Sequence, residues 1–448
     1  MTYNSDTHSS DDPVLHFLGI DGEHSAPFFP AWNLDKVRRV ARNTPFGDRD
    51  VRYGIKAEDP AEAGWGVIFA AGIGRDVREE LAPLLERRKK QAGELFGTYE
   101  FEEGETLKIF RRRIKAGIGR VSPERLPYYL LLVGDPEQIP FGIQYDLDMQ
   151  HAVGRIAFPD AASYGRYARS VCEHETRTTT PLSGLHLFSF DREDDPPTEQ
   201  ALAELARPLA TEFNRRPGFD FAFTVGAEAT TERFAESLVA GPSVVFTIGH
   251  SFLLKNGVEG QDQWQGSLIT GSWRGGRIRS RDVYRAADVP DNADLCGRIF
   301  YLYGCHTVGT PETDSFEQNG TPQRLAPRPF LAPLPLRLLA PPKGKGALAV
   351  IGQVDRALPS TSLGWDGVPQ IDTFVDTLRA VSDGVPVGRA LESFGQRYAS
   401  LAIETLRAMN SGSPSDSMTT WTAYHDARAV ALLGDPLVAT KPDQTETS

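Results

Sequence analysis

The chain has 448 residues, 40% of them hydrophobic and 24% charged, the balance of a globular protein with a sizeable core. Its 48 Lys and Arg against 60 Asp and Glu leave a net charge of −12, which argues against a generic nucleic-acid binder. Three cysteines, Cys172, Cys296 and Cys305, are too few and too scattered for a disulfide framework or a zinc set, so at least one needs another reason to be present. At about 100–200 residues per domain, the length predicts two to four units. No run approaches the roughly 18 apolar residues of a membrane span. The start, MTYNSDTHSSDDP, lacks the basic and apolar parts of a secretory leader, so the expected compartment is cytoplasmic, with no membrane partner.

Residues 1–13 and 440–448 read as polar tails. Between them strand and helix patterns alternate. GVIFA (66–70) is a buried-type strand, and Val77, Leu81, Leu84 and Leu85 follow at helical spacing. Leu107, Phe110 and Ile114 mark a second helix, and YYLLLV (128–133) is a strand closed by Gly134-Asp135-Pro136. A second series starts near 181: strand 185–190, helix 198–214, strand 221–225 and helix 230–239. Strand SVVFTI (243–248) ends in Gly249-His250-Ser251. Strand RIFYLY (298–303) ends in Gly304-Cys305-His306, and strand ALAVI (347–351) in Gly352-Gln353. Helices are expected near 370–382 and 387–408, and the Pro- and Gly-rich stretch 306–346 as mostly loop. This alternation predicts an α/β fold with mostly parallel sheets and helices on both faces.

The two strand ends carry the chemistry. Parallel α/β sheets present functional groups at the carboxyl ends of strands. One end offers His250 and another offers Cys305. A cysteine nucleophile needs a base within reach, and adjacent strands can supply it from distant sequence. Backbone N–H groups of Ser251 and Cys305 would form the oxyanion hole. Neither a metal nor a cofactor is expected for such chemistry. Taken singly, each residue also has a plain reading: a cysteine after an apolar strand is commonly a small buried hydrophobe.

SVVFTIGHS and RIFYLYGCHTVGT resemble the His and Cys strand motifs of caspase-like cysteine peptidases. YYLLLVGDPEQIPFG (128–142), AVGRIAF (152–158), Tyr164 with Tyr167-Ala168, and ALLGDPLV (431–438) are similar to the gingipain-like branch. GALAVIGQV (346–354) and GVPVGRALESF (384–394) also resemble CHAT domain proteins. The resemblance implies a caspase-like three-layer α/β/α sandwich of two consecutive subdomains. The expected division is an N-terminal extension (1–50), a non-catalytic α/β subdomain (51–180), a catalytic subdomain (181–440) and a tail (441–448). It makes Cys305 the nucleophile and His250 the general base. The family's His is commonly followed by glycine, whereas Ser251 stands here. His306 is read as structural or substrate-facing. The resemblance further implies a protein substrate, latency relieved by a regulatory partner, a signal or self-cleavage within 306–345, and a bacterial defence or cell-death setting.

In caspase-like folds the loop after the first catalytic-domain strand helps form the specificity pocket. Here it is FDREDDPPTEQ (190–200), rich in carboxylates. Asp191, Asp194 and, from a later strand end, Asp355 are the candidate substrate-binding acids, predicting cleavage after Arg or Lys. Asp191 could instead orient His250, and an acidic loop can equally be solvated surface. AAGIGRDV (70–77) lacks a third glycine and PPKGKGALAV (341–350) lacks a full phosphate-loop pattern, so neither is taken as a nucleotide site. The alternative to an enzyme is a scaffold or binding protein that keeps the fold without turnover.

Overall fold

The computed structural model describes residues 18–28, 55–117, 120–177, 183–315, 323–358, 371–411 and 414–441, with helix backbone only for 409–411 and 414–419. The expected tail 1–13 and all but the first two residues of 440–448 lie outside the described residues. Two short strands, β1 (Ile20–Asp21) and β2 (Ala26–Pro27), come first. The first half of the main sheet is β3 (Trp65–Ala70), β4 (Phe96–Phe101), β5 (Tyr129–Val133) and β6 (Ala152–Ile156). Its helices are α1 (Arg75–Ala92), α2 (Leu107–Arg113), α3 (Phe141–Asp148) and α4 (Ala161–Glu175).

Every residue of β3 and β5 is buried, the signature of strands covered on both faces. Their side chains alternate between two cores. Val67, Phe69, Leu131 and Val133 join the cluster that holds Leu81 and Leu84 of α1, while Ile68, Leu130 and Leu132 join Leu107 and Phe110 of α2. The period of two therefore sets three layers, helix on sheet on helix. Helix starts are fixed locally: the Thr106 hydroxyl accepts the Ile109 N–H, and the Asp160 carboxylate accepts that of Ser163.

The second half follows. β7 (Leu185–Ser189) leads through α5 (Pro196–Ala201) and a π-helical turn into α6 (Arg207–Asn214). Then come β8 (Phe221–Val225), α7 (Thr231–Ala240) and β9 (Val244–Ile248). The polar insert holds β10 (Ser251–Leu253), β11 (Ser267–Ile269) and β12 (Val283–Tyr284). After β13 (Ile299–Tyr303) come the pair β14 (Gly309–Thr310) and β15 (Phe330–Leu331), then α8 (Pro333–Leu339). The chain closes with β16 (Ala349–Gln353), α9 (Asp372–Asp383), α10 (Glu392–Ser411), α11 (Pro414–Ala429) and β17 (Val430–Gly434). The stretch 306–346, expected as mostly loop, thus contains a helix. Its prolines fall at the start, where their fixed φ suits a first turn.

The ten-stranded sheet has the order β4-β3-β5-β6-β17-β16-β13-β9-β7-β8. All neighbours pair in parallel except β16 with β17. The strand direction reverses at that pair, so the carboxyl ends of the two halves point to opposite rims. A second sheet, β12-β11-β10-β1-β2, lies beyond the end of β9. The halves meet where β17 joins β6, with Leu433 opposite Arg155. A methyl on Gly154 would stand 2.0 Å from the Gly434 carbonyl oxygen, so this seam admits only glycine.

A buried charge network clamps the same seam. Asp435 accepts from Trp65 Nε1 at 3.0 Å and from Arg88 Nε at 2.6 Å, and Arg88 also donates to both oxygens of Glu175. Removing one member of a buried network strands the charge of another. Asp435→Ala is expected to lose about 3–5 kcal/mol in urea unfolding. Breaking the exposed Arg75–Glu79 pair should cost under about 0.5 kcal/mol. Equal losses would remove the clamp from the account.

Candidate active site

Four neighbouring strands, β7, β9, β13 and β16, run in the same direction and deliver their following loops to one rim. The β9–β13 register sets Ile248 opposite Tyr303. His250 and Cys305 each lie two residues beyond that pair, on strands about 4.8 Å apart. The turns are locked together. Gly249 N–H donates to the Tyr303 carbonyl at 3.1 Å, and the Ser251 hydroxyl donates to the Cys305 carbonyl. A methyl on Gly304 would stand 2.6 Å from the Gly249 carbonyl oxygen, which explains the glycine before the cysteine. Ser251, the departure from the expected glycine, therefore ties the two turns.

His250 is 2% exposed, and its Nε2 lies 2.8 Å from Asp195 Oδ2. Asp195 occupies the N-cap position of α5, where a carboxylate ordinarily accepts a backbone N–H. It makes no such cap. Its oxygens go to His250 and the Thr198 hydroxyl, with Arg192 3.8 Å away. Burial alone would raise the Asp195 carboxyl, but the His250 hydrogen bond and charge, then Thr198 and Arg192, hold it below its ordinary value. An ionised carboxylate only accepts, so Nε2 donates to Asp195 and Nδ1 is the ring nitrogen left for another partner. Nδ1 is buried and has no hydrogen-bond partner among the described residues.

Cys305 is 0% exposed. Its Sγ receives the Ala357 N–H at 3.4 Å and lies 3.8 Å from the Ala357 carbonyl oxygen. Burial pushes its thiol well up, with the Ala357 hydrogen bond and Arg356 acting the other way. Its backbone N–H donates to the Leu18 carbonyl at 3.0 Å. The thiol is thus covered and not hydrogen-bonded to the imidazole, although the two turns touch.

The remaining expected residues divide. Asp191 accepts the Gly226 N–H at 2.9 Å and does not reach His250; Asp195 takes that place. Asp194 is exposed, with φ of 63°. Asp355 is buried behind the Cys305 loop, where Oδ1 accepts the Arg356 N–H at 2.9 Å and Oδ2 lies 3.7 Å from Arg428. His306, at φ 56°, turns away: its N–H donates to the Asp355 carbonyl and its Nδ1 to that of Val354. Trp264 packs on Phe252 with the Arg285 guanidinium over it. Among the described residues one metal-type cluster exists, Asp21, Glu23 and His24, and the Lys255 ammonium already stands 3.3 Å from Asp21 Oδ2.

Asp195 contributes stability through its lowered pKa. The contribution is full above the ordinary carboxylate value of about 3.9 and is lost as pH falls through the lower folded value. Asp195→Asn should cost about 1.5–3 kcal/mol in urea unfolding at pH 7. The gap to the parent chain should close below about pH 4. A gap independent of pH would show that Asp195 acts without its charge.

No protein-family model matches the chain, and no curated protein matches it. Among solved structures it is similar to the Arg-specific cysteine proteinase gingipain R, at 12% identity and a TM-score of 0.47 over 84% of this chain and 78% of that one. It is also similar to a structure of a protease, at 14% identity and a TM-score of 0.46 over 89% and 79%. A complex of Porphyromonas gingivalis RgpB pro- and mature domains follows at 12% identity and 0.44 over 84% and 79%.

Proposed function

We propose that the protein is a cysteine peptidase in which Cys305 is the nucleophile, His250 the base and Asp195 the residue that orients His250. The reading is carried by one observation: Asp195 holds Nε2 of His250, leaving Nδ1 for another partner, at the turn hydrogen-bonded to that of Cys305. In the reaction, His250 Nδ1 takes the thiol proton and the thiolate attacks the scissile carbonyl carbon. The oxyanion is held by the N–H groups of Cys305 and Ser251. The imidazolium returns its proton to the leaving amine, and water then hydrolyses the thioester under the same base.

A preference for Arg or Lys would need a carboxylate that faces the groove and is not already engaged. Asp191, Asp195 and Asp355 are engaged by protein groups, which leaves Asp194 to support it. The second reading, a scaffold without turnover, draws on the full burial of the thiol. No described helix is long and apolar enough to cross a membrane.

Hydrolysis of arginyl, lysyl, leucyl and aspartyl fluorogenic peptides separates these readings. It is measured on the full chain and on a chain beginning at residue 29. Peptidase activity should fall at least about a thousand-fold in both Cys305→Ala and His250→Ala. Asp195→Asn should retain more. A chain whose Cys305 alkylates freely yet cleaves none of the peptides is the scaffold.

A further inference from the structure

The chain's own N-terminal segment lies against the Cys305 turn. Leu18 uses both of its backbone groups there: its N–H donates to the Ala357 carbonyl at 3.2 Å, and its carbonyl accepts the Cys305 N–H at 3.0 Å. That N–H is the donor assigned to the oxyanion of a bound substrate. Onward from Leu18 the segment runs as a strand. β1 pairs in parallel with β10, Ile20 opposite Phe252 and Asp21 opposite Leu253, and Gly22 N–H donates to the Leu253 carbonyl at 2.8 Å. β2 folds back on β1, and the Ser25 hydroxyl accepts the Ile278 N–H at 2.6 Å. Leu18 is 0% exposed and Ile20 1% exposed. A methyl on Gly19 would lie 3.4 Å from Cys305 Cβ, so the backbone rests on the cysteine itself.

From this juxtaposition we infer that residues 18–27 are an internal occupant of the substrate groove, seated with the Leu18 carbonyl in the position of a scissile carbonyl. The segment keeps Cys305 covered until it withdraws. The inference gives the regulation of the proposed peptidase site and rests on the reading of Cys305 as its nucleophile. The side chain it seats at the first subsite is apolar, and glycine follows.

Two substitutions lift the segment without touching the catalytic residues. A side chain at Gly22 would strike the Phe252 ring, at 1.9 Å for the first carbon. Ile20→Asp places a charge among Phe252, Ile269 and Val283. Full-length Gly22→Val and Ile20→Asp are treated with iodoacetamide, and labelling at each cysteine is mapped by mass spectrometry. Cys305 should label at least tenfold faster than in the parent chain, with Cys296, also buried, unchanged. A synthetic peptide of residues 16–28 added in excess should slow Cys305 labelling again. Labelling of Cys305 at the parental rate in both variants overturns the inference. So does a rise at Cys296 in step with Cys305, which reports general unfolding. The readout is alkylation, so faster labelling without hydrolysis in either variant would fail the peptidase reading and leave the cover standing.

Discussion

The site depends on the parallel pairing of β9 with β13 in a single register. Five consecutive residue pairs, from Val244–Ile299 to Ile248–Tyr303, bring two strand ends 55 residues apart in sequence to the same height on the same rim. A slip of one residue would turn one of the two side chains to the opposite face, because successive side chains of a strand alternate. The register is held from both faces by apolar burial along the strands, and at the rim by the hydrogen bonds between the Gly249–Ser251 and Tyr303–Cys305 turns. Neighbouring strands extend the same logic. The loop after β7 supplies Asp195, and the loop after β16 supplies the Ala357 backbone that faces the thiol.

Much of this arrangement was legible in the chain. The runs VVFTI and IFYLY are continuous apolar stretches of strand length, and each ends at glycine followed by a chemically capable residue. The elements that escaped share a cause. β4 (Phe96–Phe101) is an edge strand with a mixed polar pattern and no continuous apolar run. α11 (Pro414–Ala429) spreads Thr, Ser and Asp among its apolar residues, so it carries little periodicity. The acid hydrogen-bonded to His250 lies in the same loop as Asp191, which the sequence offered as a substrate-binding acid or, alternatively, as the partner of His250. Asp191 is nearer the strand in sequence, but a turn sends its carboxylate to Gly226, while Asp-Pro-Pro-Thr at the start of α5 aims Asp195 at the imidazole. That dipeptide of prolines was the available signal. The seat of residues 18–27 on Cys305 was not legible, because nothing local in that segment specifies a partner more than two hundred residues away.

The structure also separates two properties that a site of this kind must reconcile. Pairing Asp195 with His250 is what the proposed base requires, while burial of Cys305, with Leu18 on its backbone, keeps the thiol out of solvent and pushes its pKa up. The backbone N–H that anchors the covering segment is also the oxyanion donor of the proposed mechanism. On the proposed reading, catalysis and concealment compete for one hydrogen bond, and withdrawal of the segment would expose the thiol and its donor together.

The central claim is that the imidazole and the thiol act as one ionising unit once uncovered. The direct measurement is the pH dependence of Cys305 alkylation in the Gly22→Val chain, with and without His250→Ala. Coupling predicts that the midpoint lies at lower pH when His250 is present and moves upward, by at least about one unit, when it is replaced. Superimposable profiles would mean that the two groups share a rim without sharing a proton, and the peptidase mechanism would have no base.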